Sequence, residues 1–155
     1  MVSVPDAEQY PLLRVCSLLN AEGAKYLVIG GRAVILHGLV RTTEDVDILI
    51  EESAANFHRV IAGLSKMEGH YAAELRAQDF IDNVVVTIGD EVHVDVSTRA
   101  GKVSYADAAP TALEVTLNGV RIPYLGWEAL VASKQTYREK DQMDLLQLRQ
   151  LKERK

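Results

Sequence analysis

Apolar positions along the chain alternate between helical and extended registers. From Asp6 to Glu22, the residues Tyr10, Leu13, Cys16, Leu18 and Leu19 recur at near-helical spacing, which predicts an amphipathic helix ended by Gly23. Tyr26-Leu27-Val28-Ile29 is an uninterrupted apolar run and reads as a short buried strand, stopped by Gly30-Gly31. A second helix is expected from Arg32 to about His37, closed by Gly38, and a second strand from Asp45 to Ile50. Ser53 is placed to cap a third helix that continues through Phe57, Val60, Ile61 and Leu64.

The second half changes period. Residues 83–88 and 92–96 are β-rich runs around Gly89-Asp90-Glu91, a predicted hairpin. Leu113–Leu117 and Val120–Ile122 flank Asn118-Gly119, the strongest short hairpin signal. Helices are expected over Gly126–Tyr137 and from about Asp141 to Leu151, while His70–Asp82 carries no clear period. Helices and strands interleave, but hairpins interrupt them. That pattern predicts one domain over residues 1–155 of the α/β (α+β) class, a mixed sheet flanked by helices with further helices at the C-terminus.

Composition narrows the functional classes. A chain of 155 residues with 48% hydrophobic and 25% charged content can bury one substantial core, which excludes a disordered protein. No apolar run is long enough to span a bilayer and the N-terminus has no secretion-like pattern, so a cytoplasmic location without membrane attachment is expected. Cys16 is the single cysteine, which rules out a disulfide framework within the chain and is expected to be a buried structural thiol. The net charge of −5 argues against a broad nucleic-acid surface, because phosphate backbones select clustered Lys and Arg. It leaves nucleotides open, since a Mg²⁺-bound triphosphate brings its own counter-charge to an acidic site.

The acidic strand is where chemistry enters. Alternation puts Asp45 and Asp47 on one face of their strand and Val46 and Ile48 on the other. In Val92-His93-Val94-Asp95-Val96 the valines share one face, and His93 and Asp95 the other. If the two strands are neighbours, three carboxylates converge; they repel one another and resist desolvation, and a dication would relieve both. Oxygen donors without cysteine favour Mg²⁺ or Mn²⁺ over zinc. A solvated face of a half-buried strand would show the same alternation. The Gly30-Gly31 turn between an apolar strand and a helix tips the balance, because backbone there can approach a ligand closely and amides can hold phosphate.

The stretch from Gly30 to Ile48, a Gly-Gly turn, a short helix and then Asp45-Val46-Asp47, resembles the signature of the DNA polymerase beta-like nucleotidyltransferase superfamily. It is similar to small bacterial nucleotidyltransferases of the abortive-infection toxin and antibiotic-modifying types. The likeness covers residues 26–50, extends to 92–96, and reaches 130–148 more faintly. It implies that Asp45, Asp47 and Asp95 ligate metal and that Asp95 helps activate the incoming hydroxyl. Gly30 and Gly31 would hold the triphosphate through their backbone. Many relatives carry serine at the second glycine position, and Arg32 is the expected substitute for that missing contact.

Around this core, Arg41 is a candidate for phosphate or for an ion pair with the carboxylates, and Lys134 for the triphosphate. Thr43 reads as a turn residue and His37 as a packed or capping histidine. Asp141 is expected to N-cap the last helix with Asp144 in a capping arrangement, ahead of a solvated tail from Lys152 to Lys155. The implied activity is metal-dependent transfer of a nucleoside monophosphate from an NTP to an acceptor hydroxyl of a small molecule, RNA end or protein. The chain has little room for an acceptor domain, so a dimer mate or partner protein is expected to present the acceptor. The competing reading is a weakly active or non-catalytic nucleotide-binding member of a toxin–antitoxin pair.

Overall fold

Helix α1 (Tyr10–Ala21) buries Leu12, Val15, Cys16, Leu18 and Leu19 along one stripe, and Gly23 ends it with φ +68°. These features come from a computed structural model, which describes residues 8–136 and 138–154. The expected start of α1 at Asp6, the tyrosine at 137 and the last residue of the tail lie outside the described residues. β1 (Tyr26–Ile29) follows, wholly buried, and then α2 (Gly30–Leu36), which begins two residues earlier than expected because both glycines join its first turn. β2 (Val46–Ile50) starts one residue after Asp45. Ser53 caps α3 (Ala54–Leu64), its side chain accepting from the Asn56 amide at 3.1 Å.

Residues 70–82, left without a period by the sequence, form a 3₁₀ turn (Tyr71–Glu74) and the short α4 (Ala77–Asp82). Both are too short for a hydrophobic repeat to register. The two hairpins form as expected. β3 (Val85–Gly89) pairs antiparallel with β4 (His93–Ser97), and after α5 (Tyr105–Ala108), β5 (Leu113–Leu117) pairs antiparallel with β6 (Val120–Tyr124). In the second turn Asn118 and Gly119 both have positive φ, 48° and 80°, as a two-residue type I′ turn requires. α6 (Trp127–Ser133) and α7 (Glu139–Glu153) close the chain.

The strands make one mixed sheet in the order β3-β4-β2-β1-β6-β5, with β2 and β4 parallel and β1 antiparallel to β2. Two apolar layers cover it. Tyr26, Val28, Val46, Ile48, Ile50, Val94 and Val96 face α1, α3 and α4. Leu27, Ile29 and Leu49 face α2, α6 and α7, meeting Val34, Leu125, Leu130 and Leu148. The second layer covers only part of its face. Beyond it, the ends of β2, β4 and β3 lie bare. Cys16 is fully buried in the first layer, and burial pushes its thiol up to about 11, as expected of a structural thiol. Among the described residues no helix is long and apolar enough to cross a membrane.

Candidate active site

Register decides which side chains meet on the bare part of the sheet. Asp47 is the pairing partner of Asp95 across the parallel β2–β4 ladder, and Thr87 partners Asp95 across β3–β4. Since residues in register on one face share a side, Asp47, Asp95 and Thr87 project into one cleft, and the exposed His93 lies on the same face of β4. Its volume is about 510 Å³, and its walls include Gly30, Gly31, Thr43, Asp45, Lys134 and Arg138. The expected convergence of the three aspartates is therefore seen. Asp45 reaches the cleft from the segment before β2 rather than from the strand itself.

Within the cleft Asp95 is the hub. Its carboxylate accepts the Thr87 hydroxyl at 2.7 Å and stands 3.5 Å from His93 Nε2. One donor atom each from Asp45, His93 and Asp95 lies within 4.8 Å of the others. Asp47 sits on the other side of Asp95, within hydrogen-bond reach of its carboxyl. Burial, then the Asp95 hydrogen bond and the charges of Asp95 and Asp45, push Asp47 up to about 6, with Lys140 opposing them. A half-buried carboxyl close to another with so little compensation is a position that a cation would relieve. A donor set made mainly of carboxylate oxygens fits a divalent cation. His93 is the residue that the sequence reading placed on this face without assigning it to the site. The His-x-Asp alternation in β4 was the available signal.

Gly30 explains its own identity. It has φ +66°, and a Cβ built there would overlap Asp47 Oδ2. Only glycine permits both the left-handed turn and the carboxylate beside it. Gly31 lies under Thr43, whose side chain would sit 3.3 Å from an added Cβ.

The expected phosphate-binding cations behave differently from one another. Arg32 is corrected: it is buried and lines a different hollow. Its guanidinium donates to the carbonyls of Glu8 (2.8 Å), Glu44 (3.3 Å) and Asp45 (3.3 Å), and burial lowers its pKa. The helix starts at Gly30, which turns position 32 away from the cleft. Arg41 is likewise turned aside, pairing with Asp144 at 2.6 Å. Lys134 does line the cleft, held 2.9 Å from Asp144 and 3.5 Å from Asp141.

Asp141 is not the N-cap. α7 begins earlier, with Arg138 at the cap position, and Asp141 accepts the Thr136 hydroxyl at 2.7 Å from within the first turn. His37 is packed, its Nε2 2.7 Å from the Leu125 carbonyl and its ring edge-on to Tyr124 and Trp127. Arg99, Arg138 and Lys140 add positive charge to the cleft wall; their contribution depends on the register of β4 and the α6–α7 turn, which no local pattern reveals.

A helix-flanked mixed sheet with paired acidic strands beneath a Gly-Gly turn defines a nucleotidyltransferase. The chain belongs to the family described as nucleotidyl transferase of unknown function (DUF2204), whose model matches residues 9–155. Two solved structures share the fold. A provisionally named nucleotidyltransferase from Thermotoga maritima is 16% identical, with 92% of this chain and 91% of that one covered at a TM-score of 0.52. An antigenic nucleotidyltransferase-like protein from Paracoccidioides brasiliensis is 20% identical, with 93% and 76% covered at a TM-score of 0.53. No curated protein matches the chain.

Proposed function

We propose that the protein is a Mg²⁺- or Mn²⁺-dependent enzyme that moves a nucleoside monophosphate from an NTP to an acceptor hydroxyl. The observation that carries this reading is the cleft that Asp45, Asp47 and Asp95 line together, with His93 Nε2 3.5 Å from the Asp95 carboxylate. Asp45, Asp47, Asp95 and His93 would hold the metal. A dication bound there lowers the pKa of the acceptor hydroxyl and neutralises charge on the triphosphate.

Asp45, Asp47 and Asp95 lie at the β2–β4 end of the cleft, and Lys134, Arg138, Lys140 and Arg99 outnumber the one acidic residue, Asp141, on its other walls. That polarity supports a triphosphate lying across it, its β- and γ-phosphates toward the cations. Gly30 and Gly31 border the phosphate path. Asp95 takes the acceptor proton as the acceptor oxygen bonds to the α-phosphorus. The bond from that phosphorus to the bridging oxygen breaks, and pyrophosphate leaves with the electron pair. The acceptor enters over β3, the edge strand whose Val85 and Thr87 line the cleft.

The test is nucleotide transfer from labelled NTPs with Mg²⁺ or Mn²⁺, comparing wild type with Asp47→Ala. Metal-dependent labelling or nucleotide binding by wild type alone is expected. Equal background from both proteins, with no metal-dependent NTP binding, would sink the reading and favour a non-catalytic partner in a toxin–antitoxin pair.

A further inference from the structure

Helix α7 carries its charge on the wrong side for a solvated helix. Asp141 and Asp144, three residues apart and so neighbours on one face, have side chains only 8% and 5% exposed. They share that face with Leu145 and Leu148. Buried carboxylates persist only when paired, and here the pairing comes from two distant places. One oxygen of Asp144 meets Arg41 at 2.6 Å and the other meets Lys134 at 2.9 Å. Lys134 is itself only 8% exposed, between Asp141 and Asp144.

Each partner leads to the cleft. Lys134 is one of its walls. Arg41 lies in the irregular segment 39–45, which delivers Asp45 to the candidate metal-ligand cluster and Thr43 to the position over Gly31. That segment is pinned at its far end by Arg32, which grips the carbonyls of Glu44 and Asp45 from the opposite side. At its near end the side-chain contact is Arg41 with Asp144, just after Leu39, which packs on the second apolar layer.

We propose that Asp144 is a positioning residue: by holding Arg41 and Lys134 with its two oxygens, it sets both the segment that presents Asp45 and the cation that meets the triphosphate. This rests on the transferase reading for the role of Lys134 and on geometry alone for the placement of Asp45. Asp144 itself is not among the residues that line the cleft. The C-terminal helix thereby becomes part of the apparatus that orders the acidic end of the cleft.

The experiment compares wild type, Asp144→Asn, the conservative Asp144→Glu, and Lys66→Gln. The last breaks a 2.7 Å ion pair with Glu22, between α1 and the end of α3, as a control. KM and kcat for NTP are measured with Mg²⁺, and amide exchange is followed on the nucleotide-free proteins. Asp144→Asn is expected to raise KM roughly tenfold or more, with partial recovery in Asp144→Glu. Exchange over 41–45 should accelerate about tenfold or more while β1 and β2 stay protected. Lys66→Gln should change neither.

Wild-type KM and wild-type exchange over 41–45 in Asp144→Asn would overturn the proposal, as would a uniform rise in exchange across the fold. If wild type neither binds nor turns over NTP, the transferase reading falls. Selective exchange at 41–45 would then still carry the placement of Asp45, and unchanged exchange would refute it. Should Asp144→Asn fail to fold, Arg41→Gln removes one arm of the clamp and gives the same readouts.

Discussion

Replacing Gly30 by alanine separates two costs that usually travel together. Gly30 has φ +66°, so a side chain there incurs the left-handed penalty of about 1–2 kcal/mol. A Cβ would also overlap Asp47 Oδ2, so the carboxylate must move. Gly23 offers a matched control: its φ is +68°, and an added Cβ meets nothing within 4 Å. Gly23→Ala should therefore lose about 1–2 kcal/mol, a fall in Tm of about 2–8 °C for a chain of this size, with Mn²⁺ affinity unchanged. Gly30→Ala should lose that much and more. Because displacing a site group by about 1 Å costs up to roughly a hundredfold in rate, it should also weaken Mn²⁺ binding and reduce NTP turnover by one to two orders of magnitude. Thermal unfolding and Mn²⁺ titration of the two variants side by side make the comparison. Equal Tm losses with equal, wild-type Mn²⁺ isotherms would show that Asp47 does not depend on the missing side chain at position 30.

Asp47 gives a pH-dependent prediction with a definite sign. Its folded pKa, about 6, lies above its ordinary value of 3.8. The native state therefore holds an extra proton, and the associated stability is present below about pH 4 and lost as pH rises through about 6. Asp47→Asn should raise Tm at pH 7.5 in EDTA, by an amount corresponding to at most about 3 kcal/mol, while abolishing metal binding, and the advantage should vanish near pH 4. An unchanged Tm difference across that range would contradict the assignment. Metal affinity of the wild type should climb between pH 5 and 7, as about pH 6 is passed, and a flat isotherm series would count against Asp47 as a ligand. His93→Ala should weaken Mn²⁺ binding by about tenfold or more, corresponding to at least about 1.4 kcal/mol, and an unaltered isotherm would remove His93 from the ligand set. Arg32→Ala leaves the carbonyls of Glu8, Glu44 and Asp45 without their donor and should cost about 2–4 kcal/mol in denaturant unfolding. A variant that keeps full stability yet raises KM for NTP would restore Arg32 to the phosphate.

The parts of this protein that could be read directly are those whose signal is local. Periodicity located α1, α3 and both hairpins, and Asn118-Gly119 specified its turn because two consecutive residues had to accept positive φ. Alternation within β2 and β4 put the aspartates on common faces, and the family likeness made these strands neighbours. What escaped was information held in pairs far apart along the chain. Arg32 and Arg41 are both basic and both precede the acidic strand in the chain. Their fates depend on the exit angle of a helix that starts at Gly30 and on a carboxylate at position 144, 103 residues from Arg41. A polar residue before a helix and one buried inside its first turn look alike in sequence, so Asp141 reads as a cap although it sits within the first turn of α7.

Charge balance separates the two acidic groups in a way that composition does not. At the C-terminal end, Asp141 and Asp144 are matched by Lys134 and Arg41, each within 3.5 Å of a carboxylate. That group is internally neutral and explains its own burial. Across the cleft, Asp45, Asp47 and Asp95 share a patch where the nearest contacts are a threonine hydroxyl and a half-exposed histidine. The mismatch is visible as a raised Asp47 rather than as an ion pair. A fold that balances one buried carboxylate pair with two cations has the means to balance another. Leaving Asp47 and Asp95 uncompensated at the mouth of a cleft is the arrangement expected where a mobile cation supplies the missing charge, and it supports the proposal that this cluster performs the chemistry while the other holds the frame.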